Sequence, residues 1–281
     1  MDAGSNHVGP MRSRSIVPGR WALLLFPLAA LAAEPSLPAG ASASAPEGGS
    51  AAAPADLASL LSESDAAYAR RDEPGKLEEL KDRLKRAEKL APGDYGVLWR
   101  ISRLYFWICD DAAVGDEERA RLGKIGWDYG DRATVANPAG VEGWFYASSG
   151  VGYYSLGMGV VKALLQGMEG KYRERLSRAE QIDPSFSAGG IQDSWGRFYY
   201  ELPWPKYDGG ESERHLLNAI RVNPNDLRAR LYLAELYLKE DHPKEARAML
   251  EKILARTPGA YDAPEERRMQ ERARVVLSQL K

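Results

Sequence analysis

From Asp56 onward, apolar residues recur at helical spacing nearly throughout the chain. Between Lys76 and Leu90, the residues Leu77, Leu80, Leu84, Ala87 and Leu90 fall on one stripe, with charged residues on the other faces. That is the pattern of an amphipathic helix. Glu79–Arg83 and Asp82–Arg86 are i,i+4 pairs in the favourable order, so these charges read as a solvated face. The stripes are punctuated in a regular way. The segments Ala87–Pro92, Ala133–Pro138, Ala179–Pro184 and Ala219–Pro224 each set Ala five residues ahead of Pro, and Ile253–Pro258 repeats the spacing with Ile. Proline lacks an N–H and pushes the residue before it out of the helical region, so each marks a helix end. The small residue one turn earlier lets a second helix approach. The pattern predicts an all-α chain of about 10 to 11 helices, stacked as four to five antiparallel pairs. One pair cannot bury its apolar face alone, whereas a stack can. Ala263–Lys281 reads as a terminal helix. Its Arg267, Arg268, Arg272 and Arg274, against Glu265, Glu266 and Glu271, give the polar outer face of a solenoid cap.

The five prolines stand 46, 46, 40 and 34 residues apart. The last interval is the length of a tetratricopeptide repeat (TPR). Within it Leu227, Leu231, Ala234 and Leu238 stripe a first helix, with Tyr237 beside them. After a turn at Asp241-His242-Pro243, Ala246, Leu250 and Ile253 stripe a second. Small Ala234, aromatic Tyr237 and small Ala246 stand where the repeat places such residues, and the chain resembles the TPR superfamily. Trp144 lies six residues after Pro138 and Tyr105 thirteen after Pro92, matching the first Trp and the Tyr of the repeat. A narrower resemblance rests on Ala179-Glu-Gln-Ile-Asp-Pro184, Gly196-Arg-Phe-Tyr-Tyr-Glu-Leu-Pro203 and Ala219–Pro224. Over roughly residues 95–256 the chain looks like the T-component-like periplasmic TPR proteins of TRAP transporters. That resemblance implies a non-catalytic scaffold assisting solute uptake beside a periplasmic solute-binding protein. It supplies no catalytic residues.

The first 33 residues read as a secretory signal, starting at Met1 or Met11. Arg12, Arg14 and Arg20 precede the apolar run Trp21–Ala33, which contains the cleavage-type triplet Ala30-Leu31-Ala32. Thirteen residues are too short to span a bilayer; an uncleaved anchor is the alternative. Members of the resembling group are often lipoproteins, yet here no cysteine follows the run. Glu34–Asp56, built almost wholly of Ala, Pro, Ser and Gly, reads as a disordered tether. The folded part is then 57–281, on an exported protein of the periplasm or envelope. Losing residues 1–33 would remove three arginines and one aspartate, taking the net charge from -2 to -4.

That charge leaves no basic face for nucleic acid. One cysteine excludes an internal disulfide and a cysteine-rich zinc site, and His7, His215 and His242 are too scattered for a metal centre. No catalytic residue, metal ligand or cofactor is assigned. Cys109, inside Tyr-Phe-Trp-Ile-Cys, reads as a buried inert thiol. Asp110-Asp111 reads as the opening of a polar loop, Asp128 and Asp131 as surface charge, and His215 and His242 as solvent-exposed. The glycines of Gly150–Gly159 lack the strand and the Gly-Lys-Ser/Thr of a phosphate loop. They read as close helix packing or a helix bend.

Aromatic residues concentrate in the middle of the chain, 20 of 26 between Tyr95 and Tyr207. They come in runs: Tyr105-Phe106-Trp107, Trp144-Phe145-Tyr146, Tyr153-Tyr154 and Phe198-Tyr199-Tyr200. Neighbours on a helix point about 100° apart, so each run must serve more than one surface. Two readings are open. The rings fill gaps between stretched repeats, or some line a pocket for an apolar or extended ligand. For a ligand or partner the candidates are Trp144, Tyr146, Tyr153, Trp195, Tyr199 and Trp204, the last in a loop between two prolines. Two other functions compete with the scaffold. One is an enzyme, carbohydrate-active or other, with an acid pair about 5–9 Å apart in an aromatic cleft. The other is an envelope structural protein that self-associates into a homo-oligomer.

Overall fold

The computed structural model describes residues 53–280; the expected signal and most of the expected tether lie outside them. The described chain folds as α1 (Ala53–Tyr68), α2 (Lys76–Leu90), α3 (Tyr95–Cys109), α4 (Asp116–Ala136), α5 (Val141–Met158) and α6 (Val160–Leu165). There follow α7 (Met168–Ile182), a 3₁₀ turn (Phe186–Gly189), α8 (Gly190–Glu201), α9 (Gly209–Val222), α10 (Leu227–Lys239), α11 (Pro243–Leu254) and α12 (Ala263–Gln279). No strand occurs among the described residues. Helix α1 begins at Ala53, so residues 53–56, expected in the tether, are helical.

Helices pair as α1/α2, α3/α4, α5/α7, α8/α9 and α10/α11, with α12 closing the stack. The count of twelve exceeds the expected ten to eleven because the third unit carries the short α6. Gly159 and Gly167, with φ of 90° and 73°, break the chain on either side of it. The proline-marked ends are one device used four times. The N–H groups of Ala91, Asn137, Asp183 and Asn223 donate to the carbonyls of Ala87, Ala133, Ala179 and Ala219. Those four alanines are fully buried. The next residue is in each case a proline, with no donor to continue the ladder. Starts are equally local: Asp94, Asp208, Asp226 and Asp262 accept hydrogen bonds from the first turns of α3, α9, α10 and α12. In the 34-residue unit Leu227, Leu231, Ala234, Ala246, Leu250 and Ile253 form one buried cluster, as their spacing predicts.

The glycines act through close packing between α4 and α5. A Cβ on Gly130 would stand 2.6 Å from Ala147 Cα, and one on Gly150 would stand 2.6 Å from Trp127 Cα. Gly123 and Gly157 meet the partner helix as tightly. Only hydrogen at these positions lets the two backbones touch.

The stack closes on itself. Arg71, just after α1, pairs with Asp262 at the start of α12 at 2.8 Å. Arg267 of α12 reaches Asp72 at 3.0 Å. The Arg268 guanidinium lies 3.2 Å from the Trp107 ring centre and donates to the Trp107 carbonyl at 2.7 Å. Arg272 and Arg228 converge on Asp110 at the end of α3. The charged face of α12 therefore differs from the solvated cap expected from its sequence: Arg267, Arg268 and Arg272 bridge to the first two units. Closure runs through ion pairs and guanidinium–ring stacking.

Candidate functional site

Helices α1, α3, α5, α8, α10 and α12, the first of each unit and the terminal one, surround a cavity of about 610 Å³. Each sends a side chain to its wall: Tyr68, Phe106, Tyr146, Asp193, Arg228 and Arg272. The wall mixes aromatic rings with paired charges.

Of the six aromatic candidates, Tyr146 and Tyr153 lie on this wall. The aromatic runs divide as helix geometry demands. Phe145 and Tyr146 face inward, while Trp144 packs against the core between α5, α7 and α8 and donates through Nε1 to the Pro138 carbonyl at 3.0 Å. Trp195 is buried in that same core, and its Nε1–H donates to Glu180 at 3.0 Å. Tyr199 stacks on His215, ring centres 5.7 Å apart. Trp204 stands 88% exposed on its loop. Tyr146 and Tyr153 thus share the cavity wall, Trp144, Trp195 and Tyr199 share the core beside it, and Trp204 stands apart.

Asp110, taken from sequence as the opening of a polar loop, is buried at the heart of the closure. Arg228 grips it with two bonds, at 3.1 and 2.8 Å. Arg272 lies at 3.4 Å and Arg268 at 3.7 Å. The Tyr153 hydroxyl donates to it at 3.0 Å. Burial alone would raise the Asp110 pKa; the fields of Arg228, Arg272 and Arg268 and the Arg228 hydrogen bonds outweigh it and hold the carboxyl well below the usual range. Its neighbour Asp111 is exposed, as a polar loop requires.

A second carboxyl behaves in the opposite sense. Asp193 of α8 is 4% exposed and shares the cavity wall with Asp226, itself buried. Its Oδ1 has no protein partner. Burial, then the adjacent Asp226 carboxylate, raises the Asp193 pKa well above the ordinary value. A raised carboxyl pKa favours the fold below the unfolded value of about 4 and withdraws that support as pH climbs through the folded value. Asp193→Asn, which keeps a donor toward Asp226, is expected to gain stability relative to wild type as pH rises. Thermal unfolding of both proteins from pH 4 to 9 checks this; a pH-independent difference would refute the assignment.

His215, expected in solvent, is buried: its Nδ1 lies 2.8 Å from Gln192 Oε1 and its ring stacks on Tyr199. Desolvation, then Arg214, lowers its pKa. The sequence places it near a helix start, but α8 packs over that turn. His242 is exposed as expected. Cys109 is buried, and burial pushes its thiol up to about 12, an inert state. Asp131 is not free surface charge: it receives Arg175 at 2.7 Å and the Trp127 Nε1–H at 2.7 Å.

Sequence reasoning passed over Asp193, Arg197 and Arg228 and took Arg272 for part of a solvated cap. A signal existed: Asp193, Arg197 and Glu201 recur at i,i+4 on α8, as do Arg228 and Tyr232 on α10. A polar stripe of that kind reads as a solvated face, and closure of the stack turns it inward.

The tetratricopeptide-repeat family model matches residues 208–264, from the N-cap of α9 to the first turn of α12. In fold the chain is similar to a thermophilic TPR protein of Thermus thermophilus, with TM-score 0.60 and 20% identity over 79% of this chain and 99% of that one. It is similar also to PilF of Pseudomonas aeruginosa, with TM-score 0.50 and 14% identity over 81% and 93% of the two chains. No curated protein sequence matches it. At these identities the likeness is one of fold. Residues 208–264 thus match the tetratricopeptide-repeat model, and the described chain has the fold of a TPR-like helical solenoid whose ends meet around a cavity.

Proposed function

We propose that this chain is a non-catalytic binding protein that holds a small or extended ligand inside its closed solenoid. The observation that carries the reading is the cavity itself: about 610 Å³, within the range of about 300–1,000 Å³ typical of ligand sites. TPR-type solenoids present their inner helices to partners. Here the ends meet through side-chain pairs between α12 and the first two units. A protein partner would dock on the outside, and the inside suits a ligand of modest size. The export-type leader and the resemblance to T-component-like proteins of TRAP transporters support a role in the bacterial envelope, beside a solute-binding protein.

The enzyme alternative has one observation to meet. Asp193 and Asp226 form an acid pair on an aromatic-lined wall. Asp226 is near enough to raise the Asp193 pKa directly, whereas glycoside hydrolysis works with carboxyls about 5–9.5 Å apart. The pair fits binding better than that chemistry.

Native mass spectrometry of the full chain expressed with its leader in a Gram-negative host, and released by osmotic shock, tests the proposal. The expected result is release in the shock fluid with a small molecule bound, and loss of that mass in Ser149→Trp, which fills the cavity. Wild type that is retained in the cytoplasm, or that keeps the same bound mass with the cavity filled, would count against it.

A further inference from the structure

The cavity wall carries six arginines, and each has a carboxylate within 4.0 Å. Arg71 pairs with Asp262, Arg103 with Asp65, Arg119 with Asp116, Arg197 with Glu201, and Arg228 and Arg272 with Asp110. Glu266 engages the backbone N–H groups of Gly259 and Tyr261, and Glu265 pairs with Arg228. The exception is Asp193 with Asp226. Among the described residues neither has a salt-bridge partner, and Asp226 contributes one oxygen to capping Ala229 N at 3.0 Å. Asp193 Oδ1 is left without a partner at 4% exposure. The charged groups facing Asp193 are Asp226 and Arg228 at α10 and Glu265 on α12, and Arg228 is already committed to Asp110 and Glu265. The orphaned Nε–H groups of Arg71 and Arg103 also belong to the wall, but both guanidinium charges are matched and both stack on the Tyr68 ring. Glu266, though it too has no cation beside it, has two N–H donors; the Asp193–Asp226 pair has no cation and leaves an oxygen unserved.

Resting on the cavity reading above, we infer that the ligand carries an ammonium group, seated on the Asp193–Asp226 pair. A primary ammonium brings three donors on one point charge. Both Asp193 and Asp226 line the cavity, and no cationic side chain among the described residues serves either carboxyl. Rings stand close by. The Tyr172 hydroxyl donates to the Ser194 carbonyl at 3.0 Å, and Phe145 packs against the Gly190 turn of the same helix. Ring faces attract a desolvated cation. A metal ion is the weaker choice: no group of three or more His, Cys, Asp or Glu side chains is placed to hold one among the described residues, and calcium takes six to eight oxygens. Seating the cation ionises Asp193, so one proton leaves as the ligand enters. The balance is simple: the Asp193 O–H bond breaks, its proton passes to solvent, and no other bond changes.

The ammonium could belong to a free amine or to a lysine side chain. Calorimetric titration of the full chain at pH 8 uses four probes: 1,5-diaminopentane, the peptide Gly-Lys-Gly, 1,5-pentanediol and glutarate. The expected result is binding of the diamine or the lysine peptide, with the tighter one identifying the source, and none of the diol. Repeating the titration in two buffers of different ionisation enthalpy should show about one proton released per ligand. Asp193→Asn should weaken binding at least tenfold and abolish the proton release, with an unchanged circular dichroism spectrum. Asp226→Asn, which keeps the α10 cap, should weaken it as well. Binding of glutarate or the diol without either amine would overturn the ammonium assignment and leave the cavity reading standing. Amine binding that Asp193→Asn leaves intact would place the ammonium elsewhere and overturn it too. If no probe binds, the assignment falls, and the native mass spectrum decides the cavity reading separately.

Discussion

Gly150→Ala should destabilise the protein by about 1–3 kcal/mol, the usual cost of forcing extra atoms into a packed interior. Helix propensity alone argues the reverse, since alanine is favoured over glycine by about 1 kcal/mol inside a helix. Packing wins because the new methyl would lie 2.6 Å from Trp127 Cα. That neighbour is main chain, and it cannot turn aside as a flexible side chain would. Helices α4 and α5 would have to separate, and Gly130 over Ala147 shows that the contact extends along both. Gly170→Ala is the matched control. It sits in α7 with nothing within 4 Å of its added carbon, so it should gain up to about 0.5–1 kcal/mol from propensity. Urea unfolding of the two variants checks the sign of each. A gain at both positions would show that α4 and α5 are not in backbone contact.

Asp110→Ala is expected to cost about 3–5 kcal/mol, the range for removing one partner of a buried ion pair. The substitution leaves Arg228, Arg268 and Arg272 facing one another with no carboxylate between them. Because those arginines come from α10 and α12 and Asp110 ends α3, the loss should open the ring where its ends meet. Small-angle scattering would then show a larger radius of gyration, and quenching by acrylamide should reach Trp107, which Arg268 covers in the native protein. The pH dependence follows from the direction of the shift. A depressed carboxyl pKa stabilises the fold above the unfolded value of about 4 and loses that contribution as pH falls toward the folded value. Wild type should therefore lose stability on acidification below about pH 4 more steeply than Asp110→Asn. Equal acid sensitivity in the two proteins would show that Asp110 does not hold the closure.

These two sites differ in how far the sequence revealed them. The glycines of α5 were partly legible: a dense run with no strand and no phosphate-loop lysine leaves close packing or a helix bend, and the fold shows backbone contact with α4. Asp110 carried the opposite message. Two adjacent acids after an apolar run look like the start of a loop, and Asp111 obeys that rule. Asp110 departs from it because three arginines that lie 118 to 162 residues away in sequence converge on it. Nothing local encodes such a meeting. His215 failed for the same reason: its own neighbours are polar, and α8 covers it from another part of the same unit.

The sequence alone determined the elements and their grammar. Helical spacing placed the buried stripes, the Ala-to-Pro interval marked four helix ends, each two residues before its proline, and the 34-residue spacing placed the repeat at the C-terminal side. All of these depend on forces that act within one turn of helix or between adjacent helices, where periodicity and the missing proline N–H are decisive. The tertiary structure alone decided what the polar faces do. A stripe such as Asp193, Arg197 and Glu201 is equally at home against water or against a cavity, because both satisfy charge. Closure of the solenoid made the choice, through pairings between distant units that share no sequence signal, and it left Asp193 and Asp226 as the acid pair on the wall with no basic partner.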